Sequence, residues 1–380
     1  MEILNQIQHY GFWFLVVLTV LVFIHELGHF AVARWCKVRV EVFSIGFGPE
    51  LFGWTDRTGT RWKFSWLPLG GYVRMFGQDE NAIEGGGARP LTDAERAVSF
   101  KDKTVAQRMA IVVAGPAANY LFAFVIFTAL YAVTGKPVIP PVIGKVFAES
   151  PAARAGIQTG DTVLRVDGTE IESFFDIQYV VQSGLGNALT IDLQRNGAPV
   201  TVQVTPGTVR DTDPKTGKET TFVGLGFGLA EDVKGVSKEL SVGQSAVVAG
   251  NDIYRATVGT LKGLWQMITG LRSSEEIGGV LRIAKMSGDV AQVGLVSLIA
   301  FSAALSINLG LINLFPVPML DGGHLVYYAV EAVRGKPLGE RAQEFGLKVG
   351  LALVLSLMLF ATWNDLVYLK VVDFVKSLFT

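Results

Sequence analysis

Apolar residues gather in four long runs, separated by stretches of ordinary mixed sequence. The runs cover about residues 11–33, 109–133, 293–315 and 349–369. Each is long enough to cross the hydrocarbon of a bilayer, roughly 30 Å, as an α-helix. The pattern predicts an α-helical polytopic membrane protein with four transmembrane helices. After the first run the period changes. Phe43–Pro49 and Trp62–Val73 alternate apolar and polar residues with Gly and Pro punctuation, which predicts a β-hairpin over about 40–76. Its Trp and Phe residues suit a membrane interface. Residues 79–108, rich in charge and glycine, read as a surface connection. From Ser241 to Leu271 the residues Val247, Tyr254, Val258, Leu261, Trp265 and Ile268 recur at helical spacing. They predict an amphipathic helix that lies on the membrane face or packs on a neighbouring domain.

Composition supports the membrane assignment. Of 380 residues half are hydrophobic and only 18% charged, with a mean hydropathy of +0.39. A net charge of −1 gives no footprint for nucleic acid. The single cysteine, Cys36, excludes an internal disulfide framework and a Cys-based zinc site, and reads as a small buried hydrophobe. No cleavable signal peptide is evident, because the first ten residues carry no Lys or Arg.

Basic residues set the expected orientation. Arg34, Lys37, Arg39, Arg57, Arg61, Lys63 and Arg74 follow the first run; Arg334, Lys336 and Arg341 lie between the third and fourth. The excess of positive charge places both loops in the cytoplasm. Both termini and the region 134–292 are then extracytoplasmic, and the cytoplasmic half of the first span holds whatever chemistry its end carries.

That end carries His25-Glu26-Leu27-Gly28-His29. On a helix, H-E-x-x-H puts two imidazoles four residues apart on one face, where both can ligate one Zn²⁺, and leaves the glutamate placed to handle the proton of an attacking water. A chance match on a surface helix is the plain alternative. Three adjacent polar groups within an apolar span argue against it, since ionisable side chains there are costly and functional.

Two histidines leave a zinc ion under-coordinated. The run Asn313-Leu314-Phe315-Pro316-Val317-Pro318-Met319-Leu320-Asp321-Gly322-Gly323-His324 closes the third span. Pro316 and Pro318 break the helix and Gly322-Gly323 permits a tight turn, which puts Asp321 at the mouth of the span. Two His and one carboxylate leave a fourth position for water, as in catalytic zinc sites. His324 is the rival ligand, and Asp321 is preferred.

The extracytoplasmic region opens with Val142–Val146, then Ser150-Pro151-Ala152-Ala153-Arg154-Ala155-Gly156-Ile157, then Gly160–Gly168, with further strands at Leu189–Leu193 and Val200–Val204. This succession resembles the bacterial type of PDZ domain, an α+β fold, over about 137–230. Gly224-Leu225-Gly226-Phe227 matches the carboxylate-binding loop of such domains. PDZ domains capture a peptide or chain end by strand addition. The expected organisation is a first membrane half at 1–136, the inserted PDZ-like domain at 137–230, an amphipathic helical connection at 231–292 and a second membrane half at 293–380.

The pairing of H-E-L-G-H with N-L-F-P-V-P-M-L-D-G-G-H resembles the site-2 protease family, most of all its bacterial branch of regulator of sigma-E proteases. Phe43–Pro49, Pro68–Val73 and Ala114-Gly115-Pro116-Ala117-Ala118-Asn119 support the likeness along nearly the whole chain. The resemblance implies intramembrane proteolysis of single-span membrane proteins, of the anti-sigma-factor type or signal-peptide remnants, in a bacterial inner membrane. It implies His25, His29 and Asp321 on one zinc and Glu26 as general base. It also implies that Asn308 and Asn313 hold the substrate backbone, for which helix–helix hydrogen bonding is the alternative role. A helical substrate must unwind before it can be cut, and pairing with the hairpin around Gly70 and Gly71 would stabilise the unwound form. Two departures stand out. There is room for one PDZ-like domain where well-known members have two, and Gly278-Gly279 stands where many have Gly-Pro, a change expected to be minor.

Two other classes compete. A binding module with a merely structural zinc would not need Glu26. A zinc or proton transporter is disfavoured by only four spans with no evident internal repeat.

Overall fold

The computed structural model describes residues 2–78, 91–184, 186–212, 219–229, 233 and 235–369; part of the connection expected at 79–108 lies outside them. The chain runs α1 (Glu2–Trp35), β1 (Val40–Thr55), β2 (Arg61–Met75), α2 (Asp93–Arg96) and α3 (Val105–Thr134). It continues through β3 (Lys136–Val138), β4 (Ile143–Val146), α4 (Pro151–Arg154), β5 (Thr162–Val166), β6 (Thr169–Glu170) and α5 (Phe174–Ser183). Next come β7 (Leu189–Arg195), β8 (Ala198–Val204), β9 (Gly207–Thr212), β10 (Glu219–Gly224), β11 (Phe227–Leu229) and β12 (Val236–Lys238). Five helices close it: α6 (Val242–Ile268), α7 (Val280–Val293), α8 (Leu295–Asn313), α9 (Asp321–Arg334) and α10 (Glu340–Tyr368). Two compact units result, one of residues 1–126 with 275–380, the other of 127–274.

Among the described residues four helical segments are long and apolar enough to cross a membrane: Gln8–Trp35, Val105–Thr134, Leu295–Asn313 and Arg341–Tyr368. The four apolar runs are therefore helices, and the chain is a membrane protein. α1, at 34 residues, spans about 51 Å. It stops in a Schellman motif. Lys37 adopts φ 58°, its N–H bonds the Arg34 carbonyl at 3.0 Å, and the Val38 N–H bonds Ala33 at 2.8 Å. Ala33 and Val38, both fully buried, make the apolar contact that accompanies this cap, and the chain turns directly into β1.

β1 and β2 do not pair as a simple antiparallel hairpin, because residues 42–45 and 61–64 run in the same direction. Residues 42–45 of β1 face Gly71–Arg74 along one edge and Arg61–Phe64 along the other, while Phe52–Thr55 cover the far side of Arg61–Phe64. Two bent strands thus make a sheet of four short segments. The bends fall at Gly46, Gly48 and Gly70, all at positive φ that a side chain would resist. The buried face carries Val40, Phe43, Ile45, Val73 and Met75. Phe43 stacks on Trp62 at 4.4 Å and meets Phe23 and Phe30 of α1 edge-on, so aromatic packing seats the sheet beside the H-E-x-x-H turns. Asp56 closes the turn by accepting from Thr58 N, Thr58 Oγ1, Thr60 N and the Trp62 indole N–H. Burial would raise this carboxyl, but those donors outweigh it and hold it at about 2.

The remaining membrane helices are stitched by small residues. A Cβ at Gly28 of α1 would lie 2.7 Å from the Ala118 Cβ of α3, and one at Gly310 of α8 would lie 3.1 Å from the Pro116 carbonyl. Small residues at such crossings let backbones approach where no water is present to drive association. α7 packs against α1, with His9 Nε2 3.1 Å from the Gly288 carbonyl. Its N-terminus is capped from α10: fully buried Asp365 accepts from the main-chain N–H of Gly279 at 2.9 Å and of Arg282 at 3.0 Å. Gly279 therefore uses a donor that proline lacks.

The second unit is built on a four-stranded antiparallel sheet in the order β6-β5-β7-β8. Val163, Val166, Ile191 and Leu193 form its core with Ile143, Phe174, Ile177 and Leu225. β4 pairs with β11, β9 with β10 and β3 with β12. The amphipathic run becomes α6, started by a capping box of Ser241 and Gln244, and exposes Val247, Tyr254, Leu261, Trp265 and Ile268.

Candidate metal centre

His25 and His29 sit one helical turn apart near the end of α1, and both are buried. Their Nε2 atoms approach to 3.2 Å with the rings nearly perpendicular. Asp321 comes from the other end of the chain. Its Oδ2 lies 3.1 Å from the Nε2 of His25 and 3.5 Å from that of His29. Among the described residues this is a group whose ligand atoms all lie within 4.8 Å of one another.

Asp321 reaches this point because α8 ends at Asn313 and α9 begins at Asp321 itself. Met319 takes φ 90° in the intervening loop. Gly322 and Gly323 do not form the tight turn expected of them. They lie in the first turn of α9 with helical backbone, and their glycine character serves packing instead. A Cβ at Gly322 would fall 2.5 Å from the carbonyl carbon of Leu314, and one at Gly323 2.7 Å from the Pro318 Cα. α10 supports the same loop from behind, where a Cβ at Gly350 would lie 2.8 Å from the Pro318 carbonyl carbon. Further along α9, Glu331 accepts from Arg108 of α3 at 2.7 Å, with both side chains largely buried.

The donor set fits a divalent cation. His29 Nδ1 lies 2.8 Å from the Ile111 main-chain oxygen, which can only accept, so Nδ1 carries the proton and Nε2 presents a lone pair. Asp321 Oδ2 is buried with no hydrogen-bond donor. Two imidazole nitrogens and a carboxylate oxygen brought this close together are what a cation satisfies, and they leave a fourth position open. Gly115 of α3 leaves room beside both rings that a Cβ would fill.

Glu26 follows His25 on the same turn. β2 passes close beside it. Gly71 allows this approach: a Cβ there would lie 2.9 Å from Val22 Cγ1 and 3.3 Å from Glu26 Cγ. Gly70 turns to the Phe47 ring instead, 2.5 Å from its Cε2 by the same measure. Asn308 is half-buried on α8, and its amide donates to the Ala304 carbonyl of its own helix at 3.3 Å. Asn313 is the last residue of α8 and half-buried. His324 stands outside the ligand group, its ring against Tyr327 and Tyr328. Cys36 is half-buried and packs against the cluster around Phe43.

Three residues beside this group are absent from the expected site: Ile111, Gly115 and Asn119, whose amide lies 3.1 Å from His25 Nδ1. Ile111 offers only a carbonyl, which no side-chain pattern announces. Gly115 and Asn119 stand four apart on α3, so the signal was a helical stripe of small and polar residues within an apolar run.

Comparison with protein families matches residues 13–357 to peptidase family M50. A protein of Rhizobium meliloti described as a zinc metalloprotease is 41% identical over 374 residues, covering 97% of this chain and 99% of the relative. One of Agrobacterium fabrum, described likewise, is 39% identical over 358 residues, covering 93% and 94%. Metalloprotease MmpA of Caulobacter vibrioides is 36% identical over 392 residues, covering 96% and 97%. The chain therefore belongs to peptidase family M50, the site-2 protease family of zinc-dependent metalloproteases.

Proposed function

We propose that this chain cleaves peptide bonds within or beside the spans of single-span membrane proteins, with His25, His29 and Asp321 holding one zinc and Glu26 as general base. The observation that carries the reading is the convergence of three ligand atoms at the end of a helix long and apolar enough to cross a membrane. When bound, the ion polarises the scissile carbonyl and lowers the pKa of an attacking water. Glu26 takes the proton of that water and returns it to the leaving amine. A substrate helix hides its carbonyls in its own hydrogen bonds and must first unwind. The irregular sheet beside Glu26 offers strand edges to the unwound segment, with Gly71 against Glu26 and Asn308 and Asn313 as clamps on the backbone.

The substrate class is proposed as anti-sigma-factor-like proteins and signal-peptide remnants of a bacterial inner membrane. The clusters Arg34–Arg74 and Arg334–Arg341 favour a cytoplasmic position for the metal end of α1, with residues 134–292 on the opposite side. Residues 137–230 are proposed as a PDZ-like domain. Supporting this, β11, which follows Gly224-Leu225-Gly226, pairs only with β4 among the described strands and leaves its other edge for an added chain end.

The test reconstitutes the purified protein in vesicles with a labelled single-span substrate, beside Glu26→Gln, with bound zinc measured in both. Cleavage by the parent alone, with zinc retained by both, is expected. Cleavage by Glu26→Gln at the parent's rate, or a parent that binds zinc and cuts none of a panel of spans, would overturn the reading.

A further inference from the structure

The two imidazoles of the metal centre need the same tautomer, because both turn Nε2 toward Asp321. For His29 the Ile111 carbonyl settles it, since a main-chain oxygen cannot donate. His25 has no such carbonyl. Its Nδ1 lies 3.1 Å from the terminal amide of Asn119, a side chain fully buried in α3. An amide can present either an acceptor or a donor, and the two choices have opposite consequences. If it presents Nδ2, the His25 Nδ1 must accept, Nε2 carries the proton and the ring is closed to a metal. If it presents Oδ1, the His25 Nδ1–H donates and Nε2 is free to ligate.

We propose that Asn119 is the positioning residue of the metal centre, its Oδ1 accepting the Nδ1 proton of His25 and thereby fixing Nε2 as the ligand atom. Two observations point to this amide. The Asn119 Oδ1 is buried without a hydrogen-bond partner while Nδ2 faces the ring, and a half-turn about the Cβ–Cγ bond exchanges the two atoms. The backbone beneath is held independently: Ser306 of α8, also fully buried, donates its hydroxyl to the Asn119 main-chain oxygen at 3.0 Å. The packing of α3 on α8 therefore does not depend on the side-chain amide, and the amide is left to serve His25. Outer partners of this kind orient a histidine ligand and raise its basicity.

This inference rests on the ligand assignment proposed above and concerns a residue outside it. The experiment measures zinc affinity of the purified full-length protein by competition with a chromogenic chelator, and the visible spectrum of the Co²⁺-substituted protein. Asn119→Leu, similar in size but unable to accept, is expected to weaken zinc about 10- to 100-fold and to shift the Co²⁺ bands. Asn119→Asp, which can only accept, is expected to keep zinc within about threefold of the parent or to bind it more tightly. A purely packing role would not separate these variants in that order. Parent-like affinity in Asn119→Leu, or a loss in Asn119→Asp as large as in Asn119→Leu, overturns the proposal. Should Asn119→Leu not fold, Asn119→Asp decides alone: parent-like affinity supports the role, and a loss matching that of His25→Ala overturns it. Zinc bound at parent affinity by His25→Ala would instead bring down the ligand assignment, and this inference with it, by a separate observation.

Discussion

Gly115 of α3 stands directly against the imidazole of His29. A Cβ at that position would lie 2.5 Å from the Cε1 of His29 and 2.9 Å from the Cε1 of His25, well inside contact distance. Two effects of Gly115→Ala oppose one another. Alanine is favoured over glycine in a helix interior by about 1 kcal/mol, whereas overpacking at a rigid contact costs about 1–3 kcal/mol. The contact involves the rings proposed to hold zinc, and ligation tolerates displacements of only about 0.5 Å. Gly115→Ala is therefore expected to leave the helix content intact and to lower zinc affinity at least about tenfold. Chelator competition with circular dichroism on the same sample checks both halves, and an alanine variant that binds zinc like the parent would contradict the geometry.

Glu26 follows His25 on α1 and has Gly71 of β2 beside it. Glu26→Asp keeps the charge and withdraws the carboxylate by one methylene. Misplacement of a catalytic group by about 1 Å costs on the order of 10²-fold in rate. The expected result is turnover of a single-span substrate reduced about 100-fold with zinc content unchanged. Loss of zinc together with activity would mean that Glu26 acts by holding the site together.

Arg108 and Glu331 tie α3 to α9, the helix that begins with Asp321. Because both side chains are largely buried, removing one partner leaves an uncompensated charge. Glu331→Ala is expected to destabilise the protein by about 3 kcal/mol and to weaken zinc retention through α9. Replacing both residues with leucine removes the stranded charge as well and is expected to recover most of the stability. A double-mutant cycle on thermal unfolding in detergent measures this, and additive losses would show that the pair does not couple the helices.

Much of this site was legible before the fold was known, and the reason is local. His25, Glu26 and His29 lie within five residues of one helix, and polar groups in an apolar run have few other uses. Asp321 was reachable because two prolines end the third span beside it. What was not legible depends on distant partners. The sheet of β1 and β2 reads as a plain hairpin, because alternation reports which face is buried and not that each strand bends at a glycine to pair twice. The start of α7 has no cap of its own sequence, since Asp365 supplies it from 86 residues further on. Gly322 and Gly323 look like turn residues, yet their role is set by carbonyls of the preceding loop. Asn119 stood in plain view in the A-G-P-A-A-N run, but its function appears only once the His25 ring is placed beside it.

Asp161 offers a test of the second unit through pH. Its carboxylate is buried and accepts from Arg195 Nε and Nη2, each at 2.7 Å, and from the Gln158 main-chain N–H at 2.8 Å. The Arg195 hydrogen bonds, with the Gln158 amide, outweigh burial and hold the carboxyl below its ordinary value of 3.8. The folded unit therefore binds fewer protons at this group than the unfolded chain does. The stability it contributes is complete above about pH 5, and it is lost as the pH falls through the ordinary value toward the depressed one. Asp161→Asn keeps the shape but removes the charge, and is expected to cost about 2 kcal/mol at neutral pH. Hydrogen exchange of the β5 and β7 amides in the full-length protein reads this directly. Exchange should be faster in Asp161→Asn at pH 7, and the gap between variant and parent should narrow as the solution is acidified. A gap that stays constant down to strongly acidic pH would mean that the ionised carboxylate is not what holds β5 to β7.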